Sequence, residues 1–276
     1  MAQTIKPLDV VHLFPEMRAE LLRILNSLTN EQWNLPTACD GWSVKDVALH
    51  IYGDDVGYLS RHRDKDGVTF VTDSFEELVA LINEKNDLWV RANRYLSKRM
   101  LLTLLEKTGV ELHAYLRTIN PHEGSHPVSW AGTKEAPMWL QIARELTEYW
   151  MHHQHICEAL GVDSLKNRKF LHPVLSTFVH ALPRTYASVQ APESTIMELS
   201  VTGEAADSWF VRREGNSWSL CDEVDSTPNA TVTMSDDTAW RMFTKGISYE
   251  DVKARATITG DQALGLVMLG SVAILA

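Results

Sequence analysis

The sequence predicts an α plus α+β protein, in which a helical region is followed by a smaller domain of mixed strands and helices. Three observations support this fold class. Apolar residues recur at helical spacing through roughly the first 160 positions. Strand-like patterns begin at about Ile196 and alternate with short helical ones. A chain of 276 residues, 45% of them hydrophobic, is long enough for one large or two ordinary domains.

The first two predicted helices carry clear sequence signals. The helical spacing of the first one is set by Phe14, Met17, Leu21, Leu22, Ile24, Leu25 and Leu28. After a loop at 37–41, Ser43 and Asp46 have the spacing of a capping box. We therefore expect a second helix that begins directly after Ser43 and carries His50 in its second turn.

The next three helices are predicted from caps and apolar periodicity. Ser74 and Glu77 form another capping box, which starts the third helix. The fourth helix is expected at about 98–116. The long loop after it contains residues 120–127, and loops of this length often line a site. The last helix of the set is expected at about 137–161 and ends on a glycine.

The second part of the chain is predicted to mix both element types. A helix at 171–189, interrupted by two prolines, is expected to connect the two parts. The expected elements after it are hairpin strands at 208–213 and 217–220, a strand at 230–234, a helix at 236–245, a strand at 254–258 and a helix from Asp261 to Ile274.

Composition argues against several classes of partner. The net charge is −10 and the pI about 5.5, whereas nucleic-acid binding needs clustered Lys and Arg. The sequence has no apolar run of about 18 residues, and residues 1–7 lack a signal-peptide pattern. Cys39, Cys157 and Cys221 are an odd, scattered set that does not indicate a disulfide framework. We expect a cytoplasmic protein that binds no nucleic acid and no membrane, with its oligomeric state open.

One helical segment, 144–155, carries the strongest functional signal. Glu148 and His152 are four residues apart, so both side chains lie on one helix face, one turn apart. A helix offers two ligands to a divalent metal in this way, although many solvated helix faces carry such a pair without a chemical role. Leu146 and Trp150 indicate a helix packed in the core. A cation there would offset the cost of burying carboxylates and imidazoles together.

A third ligand must come from elsewhere in the chain, and His50 is the candidate. It lies three residues after Val47, which we expect to face the core, so His50 points inward or to the core edge. The alternative is a core histidine held by hydrogen bonds alone. Asp54, four residues further on, is expected to orient the ring. Two histidines and one carboxylate with open positions suit catalysis better than structure.

Two further histidines lie on the 144–155 segment. His153 is rotated by about 100° from His152 and is expected at the surface. His155 has three open interpretations, namely a partner of the metal ligands, a substrate contact or an exposed side chain.

Three motifs and the tail resemble a known family. Residues 36–50 resemble the opening motif of the DinB-like, mycothiol-dependent maleylpyruvate isomerase family, and residues 83–90 resemble its third-helix motif. Residues 139–161 are similar to its last-helix motif. The C-terminal part, with 258–261 and an apolar helix, looks like the sterol-carrier-like tail domain of the family.

The resemblance implies a domain organisation and a site. It implies a DinB-like four-helix bundle at 1–165 with one metal near one end, a connecting helix at 166–190 and a sterol-carrier-like α+β domain at 191–276. The family's ligand positions correspond here to His50, Glu148 and His152. Family members commonly have Asp near the place of His155. An arginine assists catalysis in the isomerase, and Arg144 is the candidate here, with an ion pair to Glu145 or Glu148 as the alternative.

The expected function is that of a metal- and thiol-dependent transferase or isomerase. Zinc, or else nickel or manganese, would hold the sulfur of mycothiol or another low-molecular-weight thiol as a thiolate, which then attacks a small-molecule electrophile. Two alternatives stay open: a metal-dependent hydrolase, in which the ion activates water, and a non-catalytic protein that binds a metal or ligand.

Overall fold

The computed structural model of the protein describes residues 6–67, 74–132, 135–222 and 224–274. The chain divides into two compact units. The helical unit comprises Asp9–Asn120 and Glu148–Ser164. The sheet unit comprises the described residues of Met1–Leu8, Pro121–Thr147 and Leu165–Leu275. No helix in the described ranges is long and apolar enough to cross a bilayer.

Helices and strands are numbered in chain order. The helices are α1 (Phe14–Asn26), α2 (Val44–Tyr58), α3 (Phe75–Asn93), α4 (Lys98–Leu116), α5 (Met138–Leu160), α6 (Arg168–Phe178), α7 (Leu182–Thr185), α8 (Asp236–Phe243), α9 (Tyr249–Arg255) and α10 (Gln262–Met268). The strands are β1 (Gly124–Ser125), β2 (Ala136–Pro137), β3 (Ile196–Thr202), β4 (Asp207–Glu214), β5 (Ser217–Cys221), β6 (Ala230–Ser235) and β7 (Thr257–Gly260).

The capping signals read from the sequence fix the starts of the first helices. Ser43 Oγ accepts a hydrogen bond from the Asp46 N–H at 3.3 Å, and Asp46 Oδ2 accepts one from the Ser43 N–H at 3.0 Å. This capping box satisfies donors that the first turn of α2 leaves without helical partners. Ser74 Oγ likewise accepts from the Glu77 N–H, at 3.1 Å, at the start of α3. Both predicted helix starts are confirmed.

In the helical unit, α1, α2, α4 and the C-terminal part of α5 share one core. Phe14 of α1 packs edge-on against Tyr149 of α5, with ring centroids 5.8 Å apart. Helix α3 packs against α2, where the indole N–H of Trp89 donates to the Leu49 carbonyl at 3.0 Å. Trp150, at the centre of this core, is fully buried.

A buried polar cluster ties these four helices together. Asp55 of α2 is fully buried and accepts a hydrogen bond from Arg18 of α1 at 2.8 Å. The hydroxyls of Thr108 in α4 and Tyr149 in α5 also donate to this carboxylate. Arg18 in addition donates to the Leu105 carbonyl at 3.2 Å. The carboxylate of Asp55 is therefore compensated by protein partners inside the bundle.

The sheet unit is built on a five-stranded sheet with the order β5-β4-β3-β6-β7. Strands β3 and β6 pair in parallel and the other neighbours are antiparallel. The predicted hairpin β4–β5 is confirmed, and its turn contains Gly215 at φ +58. Phe178 of α6 packs against Phe243 of α8 at 5.7 Å, and Tyr186 packs against Trp218 of β5 at 4.9 Å.

The structure corrects three predicted elements of the sheet unit. Residues 254–255, predicted as strand, end helix α9, whose N-cap Ser248 accepts from the Asp251 N–H at 3.1 Å. The final helix is capped by Asp261 as expected, but it ends at Met268 and not at Ile274. The predicted 171–189 helix is two helices, α6 and α7, separated by a 3₁₀ turn. Pro173 lies inside α6 and does not interrupt it, whereas Pro183 lies in the first turn of α7. The predicted domain boundaries at 165 and 191 stay predictions.

Candidate metal centre

The structure brings together the three residues that the sequence analysis named as metal ligands. His50 Nε2 lies 3.0 Å from His152 Nε2, and His152 Nε2 lies 3.5 Å from the Glu148 carboxylate. Donor atoms of all three residues lie within 4.8 Å of one another. This cluster is called the first triad below.

Two helices supply the first triad. His50 comes from the second turn of α2, and Glu148 and His152 are one turn apart on α5. Both imidazoles are buried, whereas the side chain of Glu148 is 37% exposed. The cluster is therefore fixed by packing on its histidine side and open to solvent on its carboxylate side.

The electrostatics of His50 favour a metal ligand. Burial lowers the pKa of His50 well below its usual value, and the nearby His152 and Lys85 lower it further. A neutral imidazole keeps a lone pair on one nitrogen, and only this form can ligate a metal.

His152 is surrounded by negative partners. Burial alone would lower the pKa of His152, but hydrogen bonds with Cys39 and Glu148 raise it to about 10. The site therefore stabilises positive charge on this ring. A metal ion that binds there replaces a proton, so protons and metal compete for one position.

The donor set of the first triad fits a divalent ion. Zinc–nitrogen bonds of about 2.0–2.1 Å place two tetrahedral ligands roughly 3.3 Å apart. The observed separations of 3.0 and 3.5 Å bracket this value. Imidazole nitrogens and a carboxylate oxygen suit zinc, nickel or manganese.

Asp54 occupies a different position from the one expected. We expected it to orient the His50 ring from behind. Its Oδ2 atom lies instead 3.1 Å from His50 Nε2, the same nitrogen that faces His152. Asp54 therefore adds negative charge at the mouth of the first triad.

A cavity opens beside His50. Its volume is about 170 Å³, and its lining includes His50, Asp54, Arg61, Lys85 and Trp89. Arg61 belongs to a π-helical turn, Leu59–Arg63, that continues α2. Such turns occur frequently at functional sites. Arg61 and Lys85 were not predicted to line a site, since nothing in their spacing links them to His50.

His155 lies beside a cysteine that the sequence analysis had not considered for a site. Cys39 Sγ is 3.1 Å from His155 Nδ1 and 3.9 Å from His152 Nδ1. Burial raises the pKa of the Cys39 thiol, but hydrogen bonds with the two histidines outweigh this and lower it to about 6. The available signal was the position of Cys39 in the loop just before the helix that carries His50.

Two other residues of the segment have different surroundings. Arg144 forms an ion pair with Glu145, and its catalytic role stays a prediction. His153, expected at the surface, is buried with 2% exposure. Neither of its ring nitrogens has a hydrogen-bond partner among the described residues. The expectation was wrong because the part of α5 around His153 is buried as well, with Gln154 and Cys157 also buried.

The fold and the first triad define a class: a helical unit in which two histidines and a glutamate from two helices cluster together, joined in one chain to an α+β sheet unit. Residues 14–157, more than half of the chain, match the family described as the mycothiol maleylpyruvate isomerase N-terminal domain. The chain therefore belongs to this family.

One solved structure supports the same fold. A histidine-to-alanine mutant of the mycothiol-dependent maleylpyruvate isomerase aligns with a TM-score of 0.53 at 12% identity, over 90% of this chain and 91% of that one. Another structure of the mycothiol-dependent maleylpyruvate isomerase aligns with a TM-score of 0.48 at 12% identity, over 84% of this chain and 86% of that one. No functionally curated protein matches the sequence.

Proposed function

We propose that this protein is a metal-dependent enzyme that uses a low-molecular-weight thiol, such as mycothiol, to isomerise or modify a small electrophile. The observation that carries the proposal is the convergence of His50, Glu148 and His152 beside a cavity of about 170 Å³. Family membership supports the choice of a thiol, since the matching family is described as the mycothiol maleylpyruvate isomerase N-terminal domain.

The residues of the first triad differ in exposure and therefore have different roles. His50 and His152 are buried and hold fixed positions, and Glu148 balances charge from the exposed side. A divalent ion held there, zinc or else nickel or manganese, would supply the positive charge that keeps a bound thiol deprotonated at neutral pH. Asp54 adds a second carboxylate on the cavity side.

The cationic side chains that line the cavity favour a substrate that carries negative charge. Lys85 and Arg61 line it, and they provide two cations near His50 for recognition of a carboxylate. In the reaction, the thiolate adds to an alkene carbon while the conjugated carbonyl oxygen takes the electron pair. Rotation about the new single bond and loss of the same thiolate restore the alkene in the other geometry. An isomerase thus consumes no thiol, whereas a transferase leaves sulfur on the product.

Metal analysis tests the site. We expect purified protein to bind one divalent ion, and His50→Ala and His152→Ala each to lower zinc affinity by at least about 100-fold, because a ligand contributes more than the outer partners that cost 10- to 100-fold. His12→Ala is the matched control, since the side chain of His12 is 61% exposed. Full metal retention in both variants, measured by mass spectrometry after dialysis, would rule out the first triad.

Thiol dependence tests the reaction. Maleylpyruvate and related unsaturated acids are incubated with the zinc-loaded protein, with and without mycothiol, and followed by ultraviolet absorbance. We expect turnover only with the thiol, and Lys85→Ala to raise KM more than it lowers kcat. Ester hydrolysis without thiol would favour a hydrolase instead. Metal binding with neither activity would favour a binding protein.

We also propose the domain boundaries of the sequence analysis, with a bundle at 1–165, a connector at 166–190 and a C-terminal domain at 191–276. A cytoplasmic location fits the use of a thiol that must stay reduced.

A further inference from the structure

A second group of donors converges next to the first triad. Cys39 Sγ lies 3.1 Å from His155 Nδ1 and 3.9 Å from His152 Nδ1, and the two Nδ1 atoms are 3.4 Å apart. All three donor atoms lie within 4.8 Å of one another. This cluster of Cys39, His152 and His155 is called the second triad.

The separations match those of ligands around one tetrahedral ion. Bonds of about 2.3 Å to sulfur and 2.0–2.1 Å to nitrogen place sulfur roughly 3.6 Å and a second nitrogen roughly 3.3 Å from a nitrogen ligand. The two observed sulfur–nitrogen distances, 3.1 and 3.9 Å, lie on either side of the first value. The observed nitrogen–nitrogen distance of 3.4 Å is close to the second value.

Local structure holds the thiol in this place. Thr37 Oγ1 accepts a hydrogen bond from the Cys39 N–H at 3.2 Å and donates to the Trp42 carbonyl at 2.8 Å. Gly41 completes the turn at φ +72, a conformation that glycine adopts without strain. His155 follows His152 by three residues on α5, so both rings lie on one helix face.

His152 belongs to both triads through different nitrogens. Its Nε2 atom faces His50 and Glu148, and its Nδ1 atom faces Cys39 and His155. A neutral imidazole has only one nitrogen with a free lone pair. A neutral His152 can therefore complete one triad or the other, but not both at once.

We propose that Cys39, His152 and His155 form a second cation site, selective for soft ions such as cadmium or copper(I), which competes with the first triad for His152. A thiolate and two imidazoles favour such ions over manganese or magnesium. The site lies outside the proposed thiol reaction, which needs only the first triad. Its occupation would inactivate the enzyme by removing His152 from the first triad.

Cadmium titration under argon tests this site, because sulfur–cadmium bonds give a charge-transfer band in the ultraviolet. We expect the band in the wild-type protein, with saturation at one cadmium per chain. Cys39→Ser should abolish the band, and His155→Ala should weaken cadmium binding by more than about tenfold. Cys221→Ser is the matched control, since this half-buried cysteine lies in β5, and should leave the band unchanged.

His50→Ala separates the two triads. It removes a ligand of the first triad only, so the sulfur band should persist or form at lower cadmium concentration. Circular dichroism on each variant checks that the fold is retained. The second site is disproved if the wild-type protein shows no sulfur band or if the band survives in a folded Cys39→Ser variant. Two cadmium ions per chain would disprove the competition for His152.

Discussion

At the scale of single residues, the candidate site rests on how burial and partners set the protonation of histidines. His50 is kept neutral by burial, whereas His152 is held positive by Glu148 and Cys39. The grouping of His50, Glu148 and His152 was predictable from one helix-turn spacing, a capped helix and the family resemblance, and its role as a metal site stays a prediction. The contact of Cys39 with His155, 116 positions away, was not predicted, because the one signal for Cys39 was its place in the loop before α2. Sequence spacing carries no signal for such a contact.

His153 leads to a prediction about acid stability. Its burial lowers the pKa to about 4, while an unfolded histidine has a pKa of about 6.5. As the pH falls from 6.5 towards 4, the unfolded chain takes up a proton that folded His153 does not, so stability falls with pH. This contribution is on the order of 3 kcal/mol and levels off below pH 4.

The variant His153→Phe should not show this part of the loss of folding stability at low pH. It replaces two ring nitrogens without hydrogen-bond partners among the described residues by an apolar ring of similar size. Urea unfolding between pH 7 and 5 should give a shallower decline for the variant than for the wild type. His12→Ala, at an exposed position, is the control. An unchanged pH slope in His153→Phe would contradict the assignment.

At the scale of elements, helix starts were predicted well because capping chemistry is local to a few residues. Ser43 and Ser74 each mark the start of a helix through contacts with residues only three positions away. Helix α9 was missed because it has only seven residues, too few for apolar periodicity to separate it from a strand. The polar cluster around Asp55 was also invisible, since it joins four helices that are distant in sequence.

Asp55 gives the prediction at this scale. Asp55→Asn removes a charge that faces buried Arg18, and it should lower the free energy of unfolding by about 3–5 kcal/mol. The double variant Asp55→Asn with Arg18→Met should recover part of the loss, since no charge is then left uncompensated. Asp9→Asn, at a 91% exposed side chain, should change stability by less than about 0.5 kcal/mol. Equal stability of the wild type and Asp55→Asn in urea denaturation would refute a structural role of the cluster.

At the scale of the whole molecule, the chain forms two compact units that are each discontinuous in sequence. The sequence indicated the change from helical to mixed structure near Ile196, and the five-stranded sheet begins at that residue. It could not indicate that residues 121–147 group with the later part of the chain, because this depends on long-range contacts. Local periodicity reports element types and says little about which elements share a core.

Metal binding should therefore stabilise the helical unit, which contains the first triad. A ligand at 100 times its Kd stabilises the state it binds by about 2.7 kcal/mol. We expect zinc to slow hydrogen exchange in α2 and the C-terminal half of α5, which carry the first triad. Exchange in β3 and β6 of the sheet unit should be unchanged. Mass spectrometry of peptides with and without zinc measures this. Protection confined to the sheet would contradict the location of the site.

The two-sided contacts of His152 have a practical consequence for anyone who purifies the protein. If the His152 ring serves two overlapping donor sets, the metal that copurifies depends on which ions the expression host supplied. Protein from a cadmium-rich or copper-rich medium then carries a different metal from protein produced in a zinc-supplemented medium. Elemental analysis of such a sample records the history of the culture as much as the preference of the protein. Preparations with the same sequence and purity can then differ in activity, and the growth medium becomes an experimental variable.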